Sequence, residues 1–155
     1  MKSDKTQIET VVSIWRHWVW ANRMRDLFNY YYDDEFSRLS KEAIANPAIF
    51  WTNSAMTVLF LWYGLLYVVC EGIETELDVD INTIAPAFKE IKGRLKNFRN
   101  AVFHVQPKVW SPKLEEVLND PTIAGEIRSI HDGIGQWLKE QLKTINTPTE
   151  PESGS

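Results

Sequence analysis

The chain has 155 residues, a formal net charge of −4 and a single cysteine, Cys70. This length is typical of one domain with a substantial core, and a hydrophobic fraction of 44 % with seven Trp, seven Phe and five Tyr excludes a disordered chain. One cysteine also excludes an internal disulfide framework and a multi-cysteine zinc site.

The N-terminal segment predicts a long helix. Its first nine residues, MKSDKTQIE, have no apolar stretch behind the lysines, which argues against a secretory signal and favours a cytoplasmic location. The helix is expected to reach about Asp33 or beyond, and Asn46-Pro47 then marks a break, because proline restrains the residue before it and lacks an amide donor. The predicted core face steps by four, three and four residues: Ile8, Val12, Trp15 and Val19.

The next segment, residues 47–70, carries no charge, and residues 55–70 are almost all apolar. Such a stretch is typical of the central helix of a bundle or of a membrane span, which needs about 20 consecutive apolar residues. Polar residues at 52–54 leave only 16 residues for a span. Because no Lys or Arg cluster flanks the stretch and five acidic residues follow within 71–80, we expect a bundle centre and no membrane contact.

A third helix follows the acidic turn. It is expected to start at Asn82 or Thr83, with Pro86 in its first turn, and to end near Gln106 because Pro107 follows. Its apolar stripe alternates steps of four and three: Ile84, Phe88, Ile91, Leu95, Phe98, Val102 and Val105.

A short helix is expected over residues 114–118, and a last helix opens with Asp120 as cap and Pro121 at its first position. The apolar stripe of the last helix comprises Ile123, Ile127, Ile130, Ile134, Trp137 or Leu138, Gln141 or Leu142, and Ile145. The sequence therefore predicts an all-α, up-and-down bundle of about four long helices plus a short helix. Residues 1–146 form the single predicted domain, and residues 147–155 are predicted to be a disordered polar tail.

Several polar features indicate no function by their spacing. Gly133-Ile134-Gly135 lacks the strand that precedes a dinucleotide loop, and it predicts a close helix contact or a kink. Cys70 is expected to be a buried, unreactive thiol, and His131 and Asp132 to be a solvated pair. The three histidines show no metal-ligand spacing, so we expect no metal and no cofactor: His17, His104 and His131.

The basic residues cluster in one part of the chain. Between Lys89 and Lys113, seven basic residues accompany one acidic residue, Glu90, so this window has a charge of +6 and the rest of the chain −10. Such a basic stripe is typical of a polyanion-binding surface or of a solvated helix face. Charge alone does not decide between them.

The string RNAVFH, residues 99–104, places three polar groups near the end of the third helix. At 100° per residue, Asn100 and His104 lie about 150° to 170° from the apolar stripe, and Phe103 lies about 110° from it. An outward aromatic residue beside polar groups predicts a covered face, and a second copy of the chain is the simplest cover. Arg99 and His104 diverge by about 140° around one helix, so they do not easily converge on a single bond within one chain. A twofold pair could bring two arginines and two histidines into one cleft.

This residue set suits phosphodiester cleavage without a metal. Arginine holds phosphate by paired hydrogen bonds and stabilises its developing charge. Histidine transfers protons near neutral pH, and in the last turn of a helix the dipole would favour its protonated form.

The motif resembles the signature of the HEPN superfamily, which is Arg, four to six residues and then His. The wider pattern, WYGLLYVVCEG followed some 26 residues later by FRNAVFHVQ, is similar to small stand-alone bacterial HEPN proteins. The resemblance implies a HEPN-like bundle and a homodimeric, metal-independent endoribonuclease of toxin–antitoxin or phage-defence systems that leaves 2′,3′-cyclic phosphate on RNA. It implies these roles: phosphate binding by Arg99, proton transfer by His104, orientation by Asn100, RNA contact by Lys96 and Arg94, and dimer contact by Phe103.

Two further residues bear on the resemblance. Some HEPN toxins carry Tyr two residues after the His, where a partner enzyme attaches nucleotides; Gln106 occupies that position here, so such control is not expected. Glu71 is a candidate partner of Arg99, although a polar residue ending a buried helix is the favoured interpretation. The alternative function is a non-catalytic dimeric module that binds a nucleotide or a partner protein, and a cognate antitoxin is a candidate partner in either case.

Overall fold

The computed structural model describes residues 4–108 and 110–146, and every regular element in these ranges is helical. Four helices of 16 or more residues confirm the expected all-α bundle. The predicted tail, residues 147–155, lies outside the described residues. The helices are α1 (Asp4–Asp34), α2 (Lys41–Ala45), α3 (Pro47–Thr52), α4 (Ser54–Glu76), α5 (Phe88–Phe103), α6 (Pro112–Leu118) and α7 (Ile123–Asn146), with 3₁₀ turns at Phe36–Arg38 and Ile81–Thr83.

The long helices alternate in direction, as in an up-and-down bundle. Along each packed pair, residue numbers rise on one helix as they fall on the other. The contacts that show this are Ile14–Gly72 and Phe28–Trp62 between α1 and α4, Glu71–Arg99 and Gly64–Phe103 between α4 and α5, and Trp18–Gly135 and Arg25–Asp132 between α1 and α7.

The helix α4 forms the centre of the bundle. Asn53 caps it by accepting a hydrogen bond from the Ala55 amide at 2.9 Å. Thirteen of its residues are buried, among them Cys70, as an all-round apolar helix requires. By length and composition α4 could also cross a membrane, but 61 % of its most apolar 18-residue window is buried inside the chain.

The boundaries of α5 differ from those expected. The N-cap residue of α5 is Ala87, which makes no side-chain cap bond, rather than the expected Asn82 or Thr83. The Asp80 carboxylate caps the preceding 3₁₀ turn by accepting the Asn82 amide at 3.0 Å. The α-helix begins only at Phe88, after Pro86. It ends at Phe103, before the predicted end at Gln106, because the backbone of His104 is already extended.

The stripe predicted as the core face of α1 is wrong. Ile8 and Val12 are 40 % and 47 % exposed, and the other two members are only partly buried. The buried face lies about 110° away around the helix and comprises Val11, Ile14, Trp18 and Ala21. Trp18 fixes this rotation, because its ring packs where Gly135 has no Cβ and its Nε1 donates to the His131 carbonyl at 3.1 Å.

His131 is a core residue, so the predicted solvated pair with Asp132 is wrong. Its ring is fully buried, and Trp62 Nε1 donates to His131 Nδ1 at 3.1 Å. Because Nδ1 accepts, Nε2 carries the proton and donates to Asn22 Oδ1 at 3.1 Å. Burial, with a smaller effect of Arg25, lowers the pKa of His131 from 6.5 to about 4. The Asp132 carboxylate pairs with Arg25 at 2.8 Å.

Candidate functional site

Arg99 lies between α5 and α4 and is held by two residues of α4. Its Nη2 donates to Glu71 Oε2 at 3.0 Å, and its guanidinium carbon lies 5.1 Å from the centroid of the Tyr67 ring. The side chain is 24 % exposed. Its Nε has no acceptor among the described residues. Glu71 therefore uses only part of the hydrogen-bonding capacity of this guanidinium.

Tyr67 and Glu71 reach the same guanidinium because they lie four residues apart on one face of α4. Burial raises the pKa of Tyr67; Glu71 raises it further and Arg99 opposes the rise. The phenol therefore stays neutral, and its ring attracts the cation through its face. An ion pair and a cation–π contact together fix the orientation of Arg99.

Lys96 and Asn100 lie one turn apart on the neighbouring surface of α5. Lys96 is exposed and Asn100 is half-buried. Neither side chain makes a hydrogen bond or an ion pair with any other residue that the structure describes. Both are therefore available to a ligand that approaches this end of α5.

His104 lies directly beyond α5, with φ −125° and ψ 138°, rather than in its last turn. Its amide donates to the Asn100 carbonyl at 3.1 Å, and its carbonyl accepts from Gln106 Nε2 at 2.8 Å. The imidazole is exposed and is not hydrogen-bonded within residues 4–108 and 110–146. The expectation that His104 lies in the last turn of the helix is therefore wrong, and the rotation of 100° per residue does not give its direction, because that rule holds only inside a helix.

Phe103 combines contact with α4 and exposure to solvent. Its ring packs on Gly64, where an added Cβ would lie 2.9 Å from Phe103 Cε2, yet 48 % of the residue is exposed. Val105, predicted as a core residue, is fully exposed instead. The reason is again the early end of α5, which takes Val105 out of the helical stripe.

Ion pairs neutralise part of the basic stripe at residues 89–113. They are Lys92–Glu74 at 2.7 Å, Arg94–Asp120 at 2.6 Å and Arg99–Glu71 at 3.0 Å. Hydrogen bonds from the Thr122 hydroxyl and amide, followed by that from Arg94, hold the pKa of Asp120 at about 2. The guanidinium of Arg94, which was predicted to contact RNA, is thus paired with the Asp120 carboxylate. Four exposed lysines make no ion pair with described residues: Lys89, Lys96, Lys108 and Lys113.

The end of α5 therefore presents an oriented guanidinium, a free amide and a free imidazole. Such a set can bind an anion and transfer a proton. The sequence analysis did not identify Tyr67 and did not favour Glu71 as the partner of Arg99. The signal that could have found them is their spacing of four residues, which places both on one face of a helix. No group of three or more His, Cys, Asp or Glu side chains in the described ranges could hold a metal ion.

Comparison of the chain with protein-family models, with curated proteins and with solved structures gives no match. A functional assignment therefore rests on the chemistry of the residues themselves.

Proposed function

We propose that the chain is a metal-independent endoribonuclease of the HEPN type. In this proposal it acts as a cytoplasmic homodimer with a toxin-like or phage-defence role. The observation that supports it most is the setting of Arg99, which Glu71 and Tyr67 anchor while Asn100 and His104 remain unengaged. A guanidinium anchored on one side directs its other donors, as phosphate recognition requires.

The proposed reaction is an internal transesterification of RNA. The ribose 2′-oxygen attacks the phosphorus and the bond from phosphorus to the 5′-oxygen breaks, so the products carry a 2′,3′-cyclic phosphate and a 5′-hydroxyl. A twofold dimer would supply two copies of His104, one to take the proton of the 2′-hydroxyl and one to protonate the leaving 5′-oxygen. Arg99 stabilises the charge that develops on the phosphate, and Asn100 orients Arg99 or the phosphate.

The surface charges support binding of a single RNA segment rather than loose binding to any polyanion. Three cations of the basic stripe are paired with carboxylates, and the whole chain has a net charge of −4. Lys96 on α5 and Lys108 in the loop beyond it keep exposed ammonium groups. In this proposal they contact the RNA backbone next to the scissile phosphate.

The test is to incubate wild type, Arg99→Ala and His104→Ala with total RNA in excess EDTA and to read the ends of the fragments. We expect cyclic phosphate ends from wild type only. Matched controls are Arg23→Ala, an exposed arginine of α1, and His17→Ala, whose ring bonds only within its own helix turn. Both controls should cleave like wild type, and thermal unfolding should show that all four variants fold.

Equal background from wild type and His104→Ala would contradict the nuclease proposal. It would favour the second candidate, a non-catalytic dimeric module that binds a nucleotide or a partner protein such as an antitoxin. The observation that favours this candidate is the apolar surface around His104, where Phe103 is 48 % exposed and Val105 fully exposed. Binding of a nucleotide without turnover would then support it.

A further inference from the structure

A large cleft lies apart from the Arg99 site. Its volume is about 1000 Å³, at the upper end of the range for small-molecule pockets, roughly 300 to 1000 Å³. The last turns of α1, the short helices α2 and α3, and the α6–α7 region form its walls, and α4 forms its floor. None of the residues that surround Arg99 or His104 lines it.

Aromatic rings dominate the walls of this cleft. Phe28 and Tyr32 of α1 are 5.4 Å apart, centroid to centroid, and Phe50 and Trp110 are 5.2 Å apart on another wall. The rings of each pair pack on each other, and the aromatic surface that they present to the cleft can contact a planar ring by stacking or edge to face. The lining therefore favours a ligand with a planar ring system over an extended aliphatic chain.

One buried polar group lies at the floor of the cleft. Tyr63 is only 5 % exposed, and its hydroxyl has no hydrogen-bond partner among the described residues. The hydroxyl oxygen is accessible to solvent, and Tyr63 lines the cleft, so the hydroxyl opens into its volume. A hydroxyl that opens into a cleft without a protein partner bonds there to water or to a ligand.

Arg128 of α7 lines the same cleft as Tyr63. Its guanidinium carbon is 5.7 Å from the centroid of the Trp62 ring, and it forms no ion pair with the described residues. Burial raises the pKa of Tyr63 to about 12, and Arg128 opposes the rise, so the hydroxyl is a donor at neutral pH. The Tyr63 hydroxyl and the Arg128 guanidinium are thus two donors in the lining of one cleft.

The lining of the cleft also includes three carboxylates. Asp120 is already bonded to Arg94 and Thr122, Asp33 is exposed and Glu115 is half-buried. None of these three carboxylates forms a hydrogen bond with Tyr63 or an ion pair with Arg128. They leave the Tyr63–Arg128 pair free to bind an anion.

We propose that this cleft binds a small molecule with a flat aromatic body and one anionic head, a carboxylate or a phosphate monoester. The head accepts hydrogen bonds from Tyr63 and Arg128, and the rings lie among Phe28, Tyr32 and Trp110. This site is independent of the proposed nuclease activity.

The first experiment titrates the full chain with four probes that share one ring system: 2-naphthoate, 2-naphthyl phosphate, 2-naphthylmethanol and 2-naphthylmethylammonium. Isothermal calorimetry measures each Kd. We expect at least one anion to bind about tenfold more tightly than the alcohol and the ammonium, and the tighter anion identifies the head. Binding of the ammonium as tightly as the anions, or binding of no probe at millimolar concentration, would overturn the proposal.

Variants then test the assigned residues. Arg128→Gln should weaken binding of the preferred anion about tenfold and leave the alcohol unchanged, since only the charge-assisted bond is lost. Tyr63→Phe keeps the buried ring and should weaken the anion about threefold. Arg23→Gln, an exposed arginine outside the cleft, is the control and should bind like wild type. An unchanged Kd in Arg128→Gln would refute the assignment of the head.

Discussion

Trp18 of α1 packs where Gly135 of α7 has no Cβ, and Gly135→Ala tests this contact. A Cβ at position 135 would lie 2.8 Å from Trp18 Cε2 and closer still to Cζ2. The indole cannot move away freely, because Trp15 stacks on it at 5.0 Å and its Nε1 donates to the His131 carbonyl at 3.1 Å. We therefore expect Gly135→Ala to destabilise the protein.

Three terms set the magnitude. Overpacking a core costs about 1–3 kcal/mol, and loss of the Trp18 hydrogen bond costs about 1 kcal/mol. Alanine in a helix interior recovers about 1 kcal/mol relative to glycine. The sum predicts that the free energy of unfolding falls by about 1–3 kcal/mol.

Gly93→Ala is the matched control, because Gly93 lies inside α5 and an added Cβ there meets nothing within 4 Å. It should raise the free energy of unfolding by up to about 1 kcal/mol. Urea unfolding followed by circular dichroism measures both variants, with the m-value as a check that the transition is unchanged. If Gly135→Ala is as stable as Gly93→Ala, the packing of α1 on α7 described above is refuted.

Three further predictions concern the core and the α5 site. His131 has a pKa near 6.5 in the unfolded chain and about 4 in the folded protein. The free energy of unfolding should therefore be highest above pH 6.5 and fall by about 3 kcal/mol as the pH drops toward 4; urea unfolding at pH 7 and pH 4.5 measures the difference. Glu71→Gln removes the charge that orients Arg99 and should lower the RNA cleavage rate about tenfold, measured under single-turnover conditions. Phe103→Glu should convert the proposed dimer to a folded monomer in light scattering, because a buried charge at an apolar contact is costly.

Each of these has its own control. In His131→Gln, the free energy of unfolding should no longer fall steeply between pH 6.5 and pH 4. If it falls as steeply as in wild type, His131 is not the group responsible. Glu74→Gln breaks the neighbouring ion pair with Lys92 and should leave cleavage unchanged. Val12→Glu, at 47 % exposure similar to that of Phe103, should remain dimeric; dissociation by Val12→Glu alone would place the dimer contact on α1.

Much of the α5 site was predictable from residue order alone, but its geometry was not. Helical periodicity placed Arg99 inside a helix and Asn100 on its outer surface, because a fixed rotation per residue relates neighbours. The partner of Arg99 is Glu71, 28 residues earlier in the chain. Two residues so far apart meet only because α4 and α5 pack antiparallel, which no local pattern specifies. Periodicity did not give the direction of His104 for a related reason, since α5 ends at Phe103 and His104 lies outside it.

The sequence by itself determined the all-helical architecture, the central position of α4 and the buried stripe of α7. In these segments a single apolar stripe, or an apolar surface all round, leaves one way to bury the side chains. Tertiary structure decided which face of α1 is buried, because α1 carries two apolar stripes and periodicity does not rank them. The stripe with Trp18 is the buried one, since only there do Gly135 and the His131 carbonyl accommodate the indole and satisfy its N–H. The same packing buries His131, whose two ring nitrogens bond to Trp62 and Asn22 from other helices, a pairing that depends on three helices meeting in space.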